Sequence, residues 1–334
     1  MPQLFVCQFF IYLRTLIFCA IIHFFLLFIP PFSLSGKSFI FLYISVLNFM
    51  FALRFYVEFF RLSMNNFRPK YYPTTLEAVH LLVLYLFLQA LVDFPLALYD
   101  YQHDTDWQSK PWINFISSVS ITAFIFFFGY RKAKAPFRQV FALAPFSPFL
   151  LIAVLILLPG LQYLVSFINV AVERAIPSPP WFWELFDSVF NNRFGFWGSV
   201  FRVAVFAPVV EETFFRGILM FGLMLNYKSG YAIFLSAIMF SLFHLNPWQM
   251  TYTFFLGLFL AWLMVRTRSL PLCILAHAIN NLLVLLSIRF ANEISSSFLG
   301  QMDVGATIGL AFVAILSAVG FILFVTTRKK HDLR

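Results

Sequence analysis

Residues 203–216 read VAVFAPVVEETFFR. The stretch is apolar enough to cross a membrane, yet Glu211, Glu212 and Arg216 sit near its middle. No charge lies between Arg202 and Glu211, and none between Arg216 and Lys228. An ionised side chain at mid-bilayer costs roughly 2.5–3.5 kcal/mol even on the mild insertion scale, and it marks function by default. The remainder of the chain reads as the housing and the partners of these three charges.

Composition places that housing in the membrane. The 334 residues are 61% hydrophobic and only 11% charged, where a soluble domain carries about 25% charged residues. The 49 phenylalanines suit lipid-facing helix surfaces and are not a binding signature. The net charge of +9 comes without a soluble basic domain, so it reads as positively charged cytoplasmic loops and excludes nucleic acid as a partner. Cys7, Cys19 and Cys273 are odd in number and lack short spacing, which gives neither a disulfide framework nor a zinc knuckle. No basic stretch precedes the first apolar run, and Pro30-Pro31-Phe32 is not a small-residue cleavage site, so no removed signal peptide is expected.

A span needs about 20 apolar residues. Ten are predicted, at about 14–32, 38–61, 76–99, 112–130, 145–172, 200–223, 231–247, 249–265, 270–289 and 305–327. The expected fold is therefore all-α, a single-domain polytopic transmembrane helical bundle. The seventh and eighth spans are short and joined through Asn246-Pro247, which predicts a tight hairpin, and residues 4–13 are an interfacial helix or an extension of the first span. One set of connections holds Arg61, Arg68, Lys70, Arg131, Lys132, Lys134, Arg138, Lys228, Arg266, Arg268 and the basic tail Arg328, Lys329, Lys330 and Arg334. The opposite set holds only Lys37, Lys110, Arg174, Arg193 and Arg289. The positive-inside rule then puts both termini in the cytoplasm. The longest outer connection, about 173–199, is rich in proline and tryptophan and reads as an amphipathic segment on the outer surface.

Some polar residues within the spans read as structural. Arg54 and Glu58 are four apart and neutralise one another. His23, Asn48, Asp93 and Asn169 read as hydrogen-bonding groups between helices. The later spans differ. At about 1.5 Å per residue, Glu211 and Asn281 each lie roughly 16 Å inside the membrane, with His244 and His277 to either side of that depth. Phe240 and His244 share a helix face, as do His277 and Asn281. Arg216 is four residues from Glu212 and serves as its counter-ion. Glu211 points about 100° away and is left for chemistry, and Pro208 kinks the span beside it. A glutamate and an imidazole can hold a water and take its proton as it attacks a carbonyl, while a second imidazole and an amide stabilise the oxyanion. No serine-protease signature accompanies them. The same residues are also compatible with a helix-gluing polar network, a proton-coupled transporter, or a non-catalytic scaffold or immunity protein.

The ordered motifs add to this reading. The chain has Glu211-Glu212-Thr213-Phe214-Phe215-Arg216, then Phe240 to His244, then His277 to Asn281, with Ala207-Pro208 before the glutamates and Gly217 after the arginine. Together they resemble the EExxxR, FxxxH and HxxxN series of the CPBP intramembrane proteases (CAAX proteases and bacteriocin-processing enzymes, also called the Abi family). The resemblance covers about residues 200–290. It implies catalytic core helices there, and it does not identify the first five spans or the tenth: the N-terminal helices and outer segment in 1–199 and the last helix and basic tail in 291–334 rest on hydropathy and charge alone. It implies that Glu211 activates water with help from His244, that His277 and Asn281 stabilise the oxyanion, and that Glu212, Arg216 and Phe240 support the site, with Asn280 accessory. The implied substrate is a membrane-embedded or lipidated peptide or protein. Zinc could be held by two histidines and a glutamate, but no HExxH is present, and the glutamate–water mechanism with no cofactor is preferred.

Overall fold

A computed structural model of the chain describes residues 71–105, 107, 111–180, 182–183, 195–290, 293–294 and 302–331. Its main helices are α1 (Thr75–His103), α2 (Pro111–Ala133), the short α3 (Phe137–Val140), α4 (Phe149–Ala175), a composite α5 (195–226), α6 (Ser229–Phe243), α7 (Pro247–Thr267), α8 (Leu270–Arg289) and α9 (Val304–His331). Among the described residues, pairing of strand type is confined to one isolated antiparallel bridge, Leu143 with Ser269.

Local sequence sets where these helices start and stop. Thr74 caps α1: its hydroxyl accepts from the Glu77 amide at 3.3 Å, and the Glu77 carboxylate accepts from the Thr74 amide at 2.9 Å. This reciprocal pair satisfies two amide donors that a helix start leaves open. Asn246 caps α7 by accepting from the Gln249 amide at 2.9 Å, and Pro247 follows in the first turn, where its missing N–H costs nothing. Arg268 adopts the left-handed conformation that ends α7.

Among the described residues, five helices are long and apolar enough to cross a membrane: α1, α4, α7, α8 and residues Val304–Thr327 of α9. They carry large apolar side chains on their outer faces, such as Phe149 on α4 and Val313 and Leu316 on α9, as suits a chain solvated by lipid. Expected spans 14–32 and 38–61 lie outside the described residues, as do Cys7, Cys19, His23, Asn48, Arg54, Glu58 and the segment 4–13. The remaining eight overlap helices, but three of these (α2, α5 and α6) are not among the five long and apolar enough to cross, so the expected count of ten is not shown. The seventh is shorter than expected, because α6 ends at Phe243 and leaves His244 in the turn beyond it.

The described part of the bundle pairs α6 with α7, α4 with α9, and α8 with α5. Two glycines allow the closest approaches. A Cβ at Gly257 of α7 would lie 3.1 Å from the Ala237 Cα and 3.2 Å from the Phe240 ring, so α6 and α7 meet nearly backbone to backbone. A Cβ at Gly160 of α4 would lie 3.0 Å from the Ala311 carbonyl of α9. Asp93 joins α1 to α2, accepting from Gln89 at 2.7 Å and from Ser117 at 3.4 Å. Asn169 differs from its expected bridging role, since its Oδ1 is buried with no hydrogen-bond partner.

The end of α5 is held by the extended stretch before α1. Asn226 donates to the Tyr71 carbonyl at 2.6 Å and accepts from its amide at 3.1 Å. That stretch lies so close that a Cβ at Gly222 would fall 2.2 Å from both the Pro73 nitrogen and the Pro73 carbonyl oxygen. Backbone atoms cannot yield as a side-chain tip can. Gly222→Ala is expected to destabilise the protein by about 3 kcal/mol, seen as a lowered thermal midpoint in detergent. Gly230→Ala, where nothing lies within 4 Å of the new Cβ, should leave the midpoint in place.

Candidate active site

The glutamates sit in the middle of α5, which is not a plain α-helix. Two π-helical windings, Val200–Phe206 and Thr213–Leu219, flank an α-helical turn, Ala207–Glu212. Wide windings of this kind are frequent at functional sites. Pro208 explains part of the first. The Ala207 amide bonds to the Arg202 carbonyl, five residues back. The next bond in that register would run from residue 208 to Val203, but proline has no N–H. The Val203 carbonyl instead accepts from the Asn281 side chain of α8 at 2.8 Å. The expected disturbance at Pro208 is thus a change of winding, and Asn281 fills the hydrogen bond it opens.

Glu212 is the hub of the buried charges. Its Oε1 accepts from Arg216 Nη1 at 3.1 Å and from His277 Nδ1 at 2.8 Å, and all three side chains are nearly inaccessible. Arg216 also donates through Nη2 to the Gly257 carbonyl at 3.0 Å. Its guanidinium carbon lies 4.6 Å from the centre of the Phe240 ring, a cation–π contact strengthened by exclusion of water. Phe240 turns its edge relation to both histidines, 5.6 Å from the His277 ring and 5.2 Å from that of His244. The structure therefore brings Glu212, Arg216, Phe240 and His277 together across α5, α6 and α8, with α7 contributing a carbonyl.

His244 and Glu211 stand outside that cluster. The His244 Nδ1–H donates to the Phe240 carbonyl at 2.9 Å, which leaves Nε2 as the acceptor edge. The turn after it is tied down, because the Asn246 amide donates to the His244 carbonyl at 3.0 Å. Glu211 lies within electrostatic range of Tyr85, whose ring is 5.3 Å from both Phe214 and Phe243. Phe243 in turn contacts the His244 ring at 6.3 Å. Glu211 and His244 thus border one aromatic cluster. Among the described residues no hydrogen bond joins them, and Glu211 Oε2 is buried with no partner.

Asn280 and Asn281 form a separate amide group. Asn280 is fully buried. Its Oδ1 accepts from the Tyr252 hydroxyl and from Gln162 Nε2 at 3.1 Å, and its Nδ2 donates to Asn281 Oδ1 at 3.1 Å. Tyr252 of α7 and Gln162 of α4 were not singled out from sequence. Gln162 was detectable as an amide within an apolar span, whereas nothing distinguishes Tyr252 from a residue of an interfacial belt.

Two further features frame the site. The proline- and tryptophan-rich segment after α4 docks on the start of α7: Trp248 donates to the Ile176 carbonyl at 2.8 Å, and Phe182 packs on Trp248 at 4.8 Å. An apolar cleft of about 380 Å³ lies beside Thr213, lined by Phe127, Tyr130, Phe137 and Phe141 among others. Among the described residues no three His, Cys, Asp or Glu side chains gather as a metal-ligand group. Glu212 is moreover already bonded to the Arg216 cation, a poor setting for a second positive charge.

Residues 193–283 match the family model described as Type II CAAX prenyl endopeptidase Rce1-like. The match takes in the two glutamates, Arg216, Phe240, both histidines and both asparagines. No curated protein and no solved structure matches the chain. Over that segment the chain is similar to CAAX-type proteases, a likeness that indicates a peptide hydrolase, and its long apolar helices indicate a membrane protein.

Removing one partner of a buried pair strands the other charge, at a cost of about 3–5 kcal/mol. Arg216→Leu is expected to lower stability by that amount, read as the thermal midpoint in detergent. Adding Glu212→Gln to it should restore part of the loss, since the stranded carboxylate is then gone.

Proposed function

We propose that the chain is an intramembrane endopeptidase that cleaves a peptide bond in a prenylated or otherwise lipidated, membrane-anchored substrate, with residues 200–290 as its catalytic core. The observation that carries this reading is the buried, unpartnered Oε2 of Glu211, one residue from Glu212, whose Oε1 is already shared by Arg216 and His277, and inside the matched segment. The two adjacent carboxylates do different work. Glu212 spends its charge on Arg216 and His277, while Glu211, itself half-buried, keeps a buried acceptor oxygen unused.

In the reaction, a water donates one hydrogen bond to Glu211 and is oriented by His244 Nε2. As its oxygen attacks the scissile carbonyl, Glu211 takes the proton. The carbonyl oxygen becomes an oxyanion. His277, committed through Nδ1 to Glu212, meets it through Nε2, as an N–H donor when the ring carries both protons. Asn281 supplies a second donor from the N–H that Val203 does not use. Collapse of the tetrahedral intermediate breaks the C–N bond, and Glu211 returns its proton to the leaving amine. No zinc takes part. The apolar cleft beside Thr213 has the character to receive a prenyl chain. The lysine and arginine distribution supports cytoplasmic termini.

The test is release of a tripeptide from a farnesylated peptide ending in a CAAX sequence, incubated with the purified protein in detergent and followed by mass spectrometry. Cleavage by the wild type is expected, with Glu211→Gln and His244→Ala each lowering kcat by about 10²–10⁴-fold at an unchanged thermal midpoint. Undiminished cleavage in Glu211→Gln would defeat the assignment. Equal cleavage of the unprenylated peptide would remove the lipidated-substrate part alone. Activity should also survive a strong chelator with no stoichiometric metal in the protein, and loss on chelation restored by zinc would overturn the metal-free mechanism.

A further inference from the structure

We propose that Asn280, held by Tyr252 and Gln162, is a positioning residue that fixes which edge of the Asn281 amide faces the reaction; this rests on the oxyanion role given to Asn281 above. The argument begins from the ends of the network, because both are backbone carbonyls, which only accept. At one end the Val203 carbonyl requires the nitrogen of the Asn281 amide, at 2.8 Å. The Asn281 oxygen must then point to Asn280, which meets it with Nδ2 at 3.1 Å. The Asn280 oxygen consequently faces the other way, toward the Tyr252 hydroxyl and Gln162 Nε2. At the far end Gln162 Nε2 also donates to the Asn280 backbone carbonyl at 3.1 Å, which fixes the Gln162 nitrogen in place.

Each amide thus has a single orientation consistent with its neighbours. This matters because the two edges of an asparagine have opposite effects on an oxyanion. The nitrogen edge stabilises it, and the oxygen edge repels it. A free asparagine side chain interconverts these by rotation about one bond. Here a rotated Asn281 would set its oxygen against the Val203 oxygen and its nitrogen against Asn280 Nδ2, losing two hydrogen bonds. Asn280 is fully buried and need not touch the substrate to act. Tyr252 from α7 and Gln162 from α4 make the alignment of Asn281 depend on helices that bear no other residue of the proposed mechanism.

Asn280→Asp tests the idea because it keeps the shape and removes the donor. An ionised aspartate offers only acceptors to Asn281 Oδ1, whereas the neutral acid offers an O–H and restores the contact. The titratable groups around this position are Tyr252 from α7, His277 earlier on α8 and Glu212 bonded to it from α5; α4 contributes the Gln162 amide. Normalising to the wild type at each pH removes their contribution. With the farnesylated CAAX peptide, Asn280→Asp is expected to lower kcat about 10- to 100-fold at pH 8 with KM unchanged, and the deficit should shrink as pH falls. Tyr252→Phe should lower kcat about threefold. Asn280→Asp combined with Asn281→Ala should be no slower than Asn281→Ala alone. A deficit independent of pH, a loss carried in KM, or multiplicative losses in the double variant overturns the positioning role and leaves the protease reading intact. Full activity in Asn281→Ala, or no cleavage by the wild type, removes the oxyanion role and this inference with it.

Discussion

A single carboxylate oxygen, Glu212 Oε1, is shared by a guanidinium and an imidazole where water cannot reach, and the surrounding helices are arranged to satisfy it. Charges buried this way are tolerated only when paired and hydrogen-bonded. Arg216 cannot spend all its donors on Glu212, so α7 must bring a carbonyl, and it does so at Gly257. The same glycine lets α6 press against α7, which delivers Phe240 to the face of the guanidinium. His277 fixes the register of α8 against α5. The ion cluster is in this sense the joint of four helices, and apart from His277 the groups assigned to chemistry lie at its margins.

The margins are built by a different device. Pro208 leaves the Val203 carbonyl without a backbone donor, and the side chain that replaces the missing amide is Asn281 of another helix. The irregular winding of α5 and the placement of a candidate oxyanion donor are thus one event. The turn that carries His244 is likewise secured, by the Asn246 side chain and, just beyond it, by the proline- and tryptophan-rich segment bonded to Trp248. An amphipathic outer segment was expected from Pro and Trp content; its docking onto the turn next to a candidate catalytic histidine was not.

What could be read beforehand follows from what local spacing encodes. Glu212 with Arg216, and Phe240 with His244, are four-residue pairs, so their proximity is written into any helix. The Asn246-Pro247 turn carries its own capping chemistry and was legible for the same reason. The partners of a residue on other helices are another matter. Spacing indicates that His277 shares a face with Asn281 but not that it reaches Glu212, because the rotation of one helix against the next is decided by packing. Tyr252 and Gln162 escaped notice on that account, and Asn280 was underrated. The early end of α6 escaped because the stretch stays largely apolar through Leu245, with only Ser241 and His244 interrupting it. The π-helical windings escaped because every periodicity argument assumes 3.6 residues per turn.

Those windings carry a consequence for how the helix tolerates change in length. A π-helical stretch holds surplus residues compared with an ordinary spiral spanning the same gap. Without that surplus the same stretch is an ordinary α-helix, so a one-residue deletion within Val200–Phe206 or Thr213–Leu219 is absorbed by closing the wide turn. A deletion inside the α-helical turn Ala207–Glu212 has no surplus to draw on and would rotate the acids by about 100° against the start of α5. The helix is therefore strict in residue number at its acids and forgiving on either side of them.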